Sequence, residues 1–329
     1  MPTRQALMPL DQAAELIASG RFLSIAGDEQ ALRQLPTGNW IGGTIPYFMA
    51  ETGGTVSRDA VFVTEIAGNA EPPTLRLYDP AGLPQICRNA PESGYSILIL
   101  PAFSDCHARF ARNAPNYEEM YMKPLIGWVA GVHLDDLGTI TPKVVLGSTG
   151  EFAENQAAVM DVPLPPERFA QIDIVNLFRP GRGPAITFAE TGFTAGSCLI
   201  DGQPGNLADH LLDQGIDTRL PLVADYSGAM INVSIKAVDR AARSVDFYAP
   251  VFPGVAYRVA EPVDDYVAAF RAALPELDNG ISFSCNCILN YLYSDLQGKR
   301  TGQAVGPITF GEIGYQLLNQ TLVYLSVSE

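Results

Sequence analysis

The sequence predicts an α+β protein of two similar domains, each built from two βαββ-type repeats that form mixed sheets covered by helices. Three observations carry this. The chain has 329 residues, 47% of them apolar and 17% charged, enough apolar side chain for two cores of ordinary size. A strand–helix–strand–strand alternation recurs four times along the chain. Three of the four second strands contain an Ile/Val-Gly step, at Ile41-Gly42, Ile126-Gly127 and Val305-Gly306. Glycine inside a strand marks a bulge or a close backbone approach.

The elements follow in order. Copy one has a strand at 22–25, a helix over 28–35 with Asp28 as N-cap, a second strand from Trp40 and a third at 61–63 after a turn at Gly53-Gly54. Copy two has a strand over 95–100, a helix over 105–112, and a hairpin opened at 126–129 and closed at 143–146. Copy three runs through 198–200, a helix over 206–214, and strands at 222–224 and 245–248. Copy four begins at 281–284, continues through a helix over 289–296, and ends in a hairpin from Ala304 to the strand at 321–325. Copies one and four align best and copy three worst. A further amphipathic helix is predicted over 263–274, with Val267, Phe270 and Leu274 on one stripe.

Two copies per half give domains 1–160 and 161–329. The proline run Pro163-Leu164-Pro165-Pro166 within 148–168 reads as a semi-rigid linker, because proline stiffens the chain and lacks a backbone donor. The 179–184 Gly/Pro cluster reads as a loop. Asp11 and Glu15 interrupt the only apolar stretch near the N-terminus, so no export signal is read, and the longest apolar run, 97–103, is far too short for a membrane span. Five cysteines suit a reducing compartment better than a disulfide framework, and the expected location is cytoplasmic. A net charge of −15 argues against nucleic acid as a partner.

No complete catalytic motif is present. Cys285-Asn286-Cys287 falls where a strand turns into a helix, and a thiol at a helix N-terminus is a candidate nucleophile; buried structural thiols are the plainer reading. Ser104-Asp105-Cys106-His107 occupies the matching corner of copy two. It holds a nucleophile, a base and a carboxylate, but neighbours in sequence point in different directions. A cysteine-dependent hydrolase using Cys106 or Cys285 is therefore an alternative, and a haem sensor ligated by His107, His133 or His210 is another. No metal-ligand spacing and no phosphate-binding glycine loop occurs, and no cofactor is predicted. The most unusual stretch is 306–315, where three glycines and a proline surround Glu312; its counterpart in the first half is 38–47. Glycine lets a ligand or a strand approach the backbone closely.

At the C-terminus, Ile281-Ser282-Phe283-Ser284-Cys285-Asn286, the run Gly306-Pro307-Ile308-Thr309-Phe310-Gly311-Glu312-Ile313 and Asn319-Gln320-Thr321-Leu322 resemble the C-terminal half of FIST domains. The first half is similar only in layout, with Ile41-Gly42-Gly43-Thr44 at the corresponding step. Asn286-Cys287-Ile288 stands where that family carries a Gly-Arg-Gly-like stretch. The resemblance implies an intracellular sensory module that binds small ligands such as amino acids and acts through a separate signalling protein.

The resulting expectation is a cytoplasmic small-ligand sensor without its own output domain and with a pocket near the domain interface. Its ligand-binding residues would be Cys285, Asn286, Thr309, Glu312 and Tyr315 from the second half, with Trp40, Thr44, Tyr47 and His107 from the first. Glu312 would pair with a ligand ammonium group, and Trp40 or Tyr47 would cover the apolar part.

Overall fold

A computed structural model describes residues 4–226, 229–274 and 280–328. The chain is mixed α+β, with short helices set against several mixed sheets, as the alternation predicts. The first unit comprises β1 (Gln5–Pro9), α1 (Leu10–Ala18), β2 (Phe22–Gly27), α2 (Glu29–Leu32), β3 (Trp40–Thr44), β4 (Tyr47–Ala50), β5 (Gly53–Val56) and β6 (Ala60–Ile66). The second comprises β7 (Thr74–Tyr78), α3 (Gln85–Asn89), β8 (Gly94–Pro101), α4 (Asp105–Asn113), β9 (Leu125–Ala130), β10 (Val144–Leu146), β11 (Glu151–Ala153) and β12 (Ala157–Pro163). The third opens with β13 (Phe169–Val175). An insertion of short strands, β14 to β22, then lies between Ile186 and Val259 around α5 (Leu207–Asp213). The third unit resumes with α6 (Tyr266–Ala273), β23 (Phe283–Cys287), α7 (Ile288–Tyr293), β24 (Gly306–Thr309), β25 (Glu312–Gly314), β26 (Gln316–Leu318) and β27 (Leu322–Ser328).

One topology appears three times. In each unit a strand, a helix and a parallel strand are joined by a returning antiparallel strand on the other side, and a further strand flanks that: β1-β6-β2-β3, β7-β12-β8-β9 and β13-β27-β23-β24. Each four-stranded core is completed to six by a hairpin from another unit. The β4–β5 hairpin of unit one pairs with β24, β10–β11 of unit two pairs with β3, and β25–β26 of unit three pairs with β9. The three units thus exchange hairpins in a closed ring. Strands from either side of residue 160 pair with each other, and residue 160 itself falls inside β12.

Copies one, two and four are these three units. Copy three is arranged otherwise: Ser197–Ile200 is separated from Leu222–Tyr226 by Ile186–Thr187 and Tyr257–Val259, and Ser244–Val251 belongs to another sheet. Its similarity was a matter of composition, since short apolar strands flanking a helix do not specify pairing. Further differences concern partners and bounds. The strand at 144–146 does not close a hairpin with 126–129 but joins β3 in the first sheet. The strands at 306–309 and 322–328 are not paired with each other, because β23 lies between them. The 148–168 segment is not a linker: it contains β11 and the buried β12, and its proline run only ends the latter. Gly53-Gly54 begins β5 rather than forming the turn.

The Ile/Val-Gly step has a single physical cause in all three units. A Cβ on Gly42, Gly127 or Gly306 would lie 2.7, 1.8 or 2.0 Å from the carbonyl oxygen of Ile25, Leu98 or Ser284 on the adjacent parallel strand. Only glycine permits that approach. The central core contains side chains of all three units, among them Phe48, Trp128 and Phe283.

Candidate functional site

The three glycines give the units a common register, and equivalent positions can be compared. Two residues past the glycine, Thr44 faces Gly27, Val129 faces Leu100 and Ile308 faces Asn286. One residue past it, Gly43 faces Val144, Pro307 faces Phe48 and Trp128 faces Glu312. Asn286 and Glu312 of the third unit therefore stand where the other two units have Gly27 or Leu100 and Val144 or Phe48. Asn286 lies beside the third unit's own glycine strand and Glu312 against the second unit's, and the two meet at the third unit's strand–helix corner through Thr321 and Asn290. The fold itself does not require polar groups here.

That corner is buried and hydrogen-bonded. Cys285, Asn286 and Cys287 end β23, and Asn290 follows Asn286 by one turn of α7. The Asn286 side-chain oxygen accepts from the Cys287 amide and from Asn290 Nδ2, both at 2.8 Å. Asn290 Nδ2 also donates to the Thr321 carbonyl at 3.1 Å. Glu312, wholly inaccessible, accepts at Oε2 from the Thr321 hydroxyl at 2.7 Å and the Thr321 amide at 3.2 Å. Thr309 donates to the Gly311 carbonyl at 2.9 Å, and Cys285 to the Gly127 carbonyl at 3.2 Å. Several buried atoms here have no protein partner: Glu312 Oε1, Asn290 Oδ1, Asn286 Nδ2, Asn319 Oδ1 and the Tyr266 hydroxyl.

Burial dominates the electrostatics. Removing a carboxylate from water costs several kcal/mol, and desolvation pushes the Glu312 carboxyl up to about 8 against the pull of its Thr321 and Cys287 contacts. Burial likewise raises the Cys285 and Cys287 thiols well above their usual range, with Glu312 adding to the shift. A cleft of about 190 Å³ opens above this corner, between the insertion and the third unit; Arg219 and Leu220 of the insertion and Phe178, Tyr266, Asn290, Tyr293 and Gln320 of the third unit line it. Gln320, in the left-handed region at φ 50°, ties the two sides together: it accepts from Ser234 at 2.6 Å and donates to the Arg219 carbonyl at 3.1 Å.

Of the residues singled out from sequence, Cys285, Asn286, Thr309 and Glu312 are brought together here. The others lie elsewhere. Trp40 packs in the outer core of unit one, its indole donating to the Pro36 carbonyl at 3.0 Å. Thr44 borders a second cleft of about 220 Å³ and donates to the Gly131 carbonyl. Tyr47 stacks on His133 at 5.5 Å. Tyr315 pairs with Tyr121 in the surface layer. His107 is buried on α4, and desolvation lowers it to about 4. Asn290, Thr321, Gln320 and Tyr266 were not singled out individually. The i, i+4 spacing of Asn286 and Asn290 is the available signal, and Tyr266 falls within the predicted 263–274 helix but outside its stripe of Val267, Phe270 and Leu274.

The serine–aspartate–cysteine–histidine run forms no catalytic array. Ser104 caps α4 by accepting from the His107 amide, Asp105 pairs with Arg109, and Cys106 is buried with its thiol pushed up to about 12. All five cysteines are free and buried. We therefore expect negligible iodoacetamide labelling of the native protein at pH 7 and labelling of all five thiols after unfolding, read by mass spectrometry. One rapidly modified native cysteine would restore the case for a thiol nucleophile.

A family model matches residues 8–328, nearly the whole chain. The chain belongs to the family of unknown function DUF6976. The similarity to FIST domains is thereby corrected: the family match spans both halves, and no match to FIST was found. Comparison with curated proteins and with solved structures gave no match. Among the described residues of this DUF6976 chain, no helix is long and apolar enough to cross a membrane, and no group of His, Cys, Asp and Glu side chains is placed to hold a metal ion.

Proposed function

We propose that this protein binds a small molecule in the cleft over Asn290 and Tyr266, and that occupancy is passed to a separate signalling protein. The observation that carries the reading is the polar corner of the third unit: Asn290 and Tyr266, residues that line the cleft, each carry a buried polar atom without a protein partner, and Asn286 and Glu312 behind them stand where the other two units have glycine or apolar residues. A buried unpaired polar group costs about 1–3 kcal/mol, and a ligand recovers that cost. The segment from Asn319 to Thr321 connects this corner to the insertion, so a ligand there bears on both bodies of the cleft. Five buried free thiols favour a reducing, cytoplasmic setting. Raised thiol pKa values weigh against the hydrolase alternative, since the thiolate is the nucleophile.

The test is a thermal-shift screen with amino acids, amines, organic acids, nucleosides and sugars. One chemical class should raise the melting temperature saturably, by the equivalent of about 2.7 kcal/mol at a hundredfold excess over Kd. The Tyr266→Phe variant should weaken that response. Absence of any shift from a protein with a cooperative melt would remove the reading.

A further inference from the structure

The polar atoms of the third corner are unequal in kind, and that inequality specifies a ligand class. Asn286 Oδ1 has two donors upon it and Asn290 Nδ2 has two acceptors before it, which fixes the orientation of both amides. Asn290 therefore presents its oxygen, not its nitrogen, and this oxygen is buried and unpartnered in a residue that lines the cleft. Glu312 uses Oε2 for both Thr321 donors and leaves Oε1 free, one hydrogen-bonded residue behind Asn290. Asn319 Oδ1 is a third unpartnered acceptor, and the Tyr266 hydroxyl can serve in either sense. While the carboxyl holds its proton, Glu312 Oε1 is a donor alongside Asn286 Nδ2; once it is ionised, acceptors outnumber donors and Asn286 Nδ2 is the opposing group.

The walls agree. Phe178, Tyr266 and Tyr293 present aromatic surface, which attracts cations through the ring quadrupole. The one arginine on the rim, Arg219, is committed to Asp217, through Nη2 at 2.7 Å and through Nε to both carboxylate oxygens at 3.0 Å. Its charge is paired there with Asp217, whose carboxylate also lines the cleft, which weakens its pull on an anion. Glu312 is then the carboxyl group behind the floor without a cationic partner, since its contacts are Thr321 and Cys287.

Resting on the ligand-binding reading above, we propose that the cleft takes a small organic cation bearing N–H donors, an ammonium or guanidinium compound. Asn290 Oδ1 and the Tyr266 hydroxyl accept its hydrogen bonds, and Glu312 supplies the countercharge. Binding then displaces the proton that the buried Glu312 carboxyl holds, and that proton leaves to solvent.

The experiment is titration calorimetry of the full chain with methylguanidinium and methylammonium, against N-methylurea and acetate as neutral and anionic probes of similar size. The two cations should bind saturably and the other two should not. Guanidinium keeps its charge throughout, so any pH dependence of its affinity belongs to the protein. Its Kd should fall by up to about tenfold per pH unit between pH 6 and 8, as expected when binding releases one proton. Glu312→Gln should weaken binding at pH 8 at least tenfold and abolish the pH dependence, and Tyr266→Phe should weaken it several-fold. A cooperative melt of each variant verifies that it is folded. Acetate or N-methylurea binding at least as tightly as the cations would overturn the ligand class while leaving the cleft as a binding site. A methylguanidinium Kd indifferent to pH or to Glu312→Gln would overturn the role of Glu312. Silence from all four probes would overturn the proposal, and if the broad screen were silent too, the binding reading would fall with it.

Discussion

Gly127→Ala is expected to leave little folded protein. The added Cβ would sit 1.8 Å from the Leu98 carbonyl oxygen, in the middle of the β8–β9 parallel pair, and no rotamer change can relieve a clash between a Cβ and a backbone atom. The two strands would have to separate or slip, against a core in which Leu98, Ile99, Trp128 and Val129 are all fully buried. Overpacking of this kind costs about 3 kcal/mol or more, a large part of the roughly 5–15 kcal/mol that holds a domain folded. Gly306→Ala should behave alike, with 2.0 Å to the Ser284 carbonyl. Gly183→Ala is the control: nothing lies within 4 Å of its added Cβ, and its denaturation midpoint should match the parent within about 0.5 kcal/mol. Denaturant melts of the three variants decide the matter. A Gly127→Ala protein as stable as the parent would mean that the parallel pair is not spaced as described.

The second large effect concerns pH. The Glu312 carboxyl, raised by burial to about 8 from 4.5, binds more protons in the folded chain than in the unfolded one between those limits. Its stabilising contribution is whole below pH 4.5 and is lost as pH rises through 8. The full swing is about 5 kcal/mol, of which about 2 kcal/mol falls between pH 6.5 and 8 at 1.36 kcal/mol per unit. That narrower window is the informative one. His107, lowered to about 4, contributes stability above pH 6.5 that is lost as pH falls, so it acts in the opposite sense and outside this window. The parent should therefore lose stability from pH 6.5 to 8, and Glu312→Gln, which keeps an acceptor for Thr321 without a titrating proton, should stay flat. Parallel slopes for the two proteins would show that Glu312 is not the group responsible.

Local features of the fold were legible where a residue's own chemistry decides the outcome. The strands at 22–25 and 95–100, the Asp28 and Ser104 corners, and the three close-packed glycines could all be read from residue type and period. Pairing was not. Nothing in Val144-Val145-Leu146 says that it prefers Gly42 to Gly127 as its neighbour, because both offer the same narrow glycine seat in a parallel strand. The site divided the same way. Glu312 stood out as a carboxylate among glycines and Asn286 between two cysteines at a strand–helix corner, and they meet through Thr321 and Asn290, whereas Trp40 packs within unit one and Tyr47 packs against His133 and Tyr291 of the other two units.

The ring of exchanged hairpins imposes an order on synthesis. Residues 47–56 emerge from the ribosome long before β24, the strand that will receive them, and β9 waits as an open edge until residues 312–314 arrive. Closure depends on contacts separated by 184 to 259 positions, so folding to completion is a late and slow event governed by loop-closure entropy. Until then two sheet edges stand unpaired and able to accept strands from other chains. Once the last strand docks, no unit can leave without withdrawing a hairpin from one neighbour and surrendering one to the other, and the three units unfold as one body.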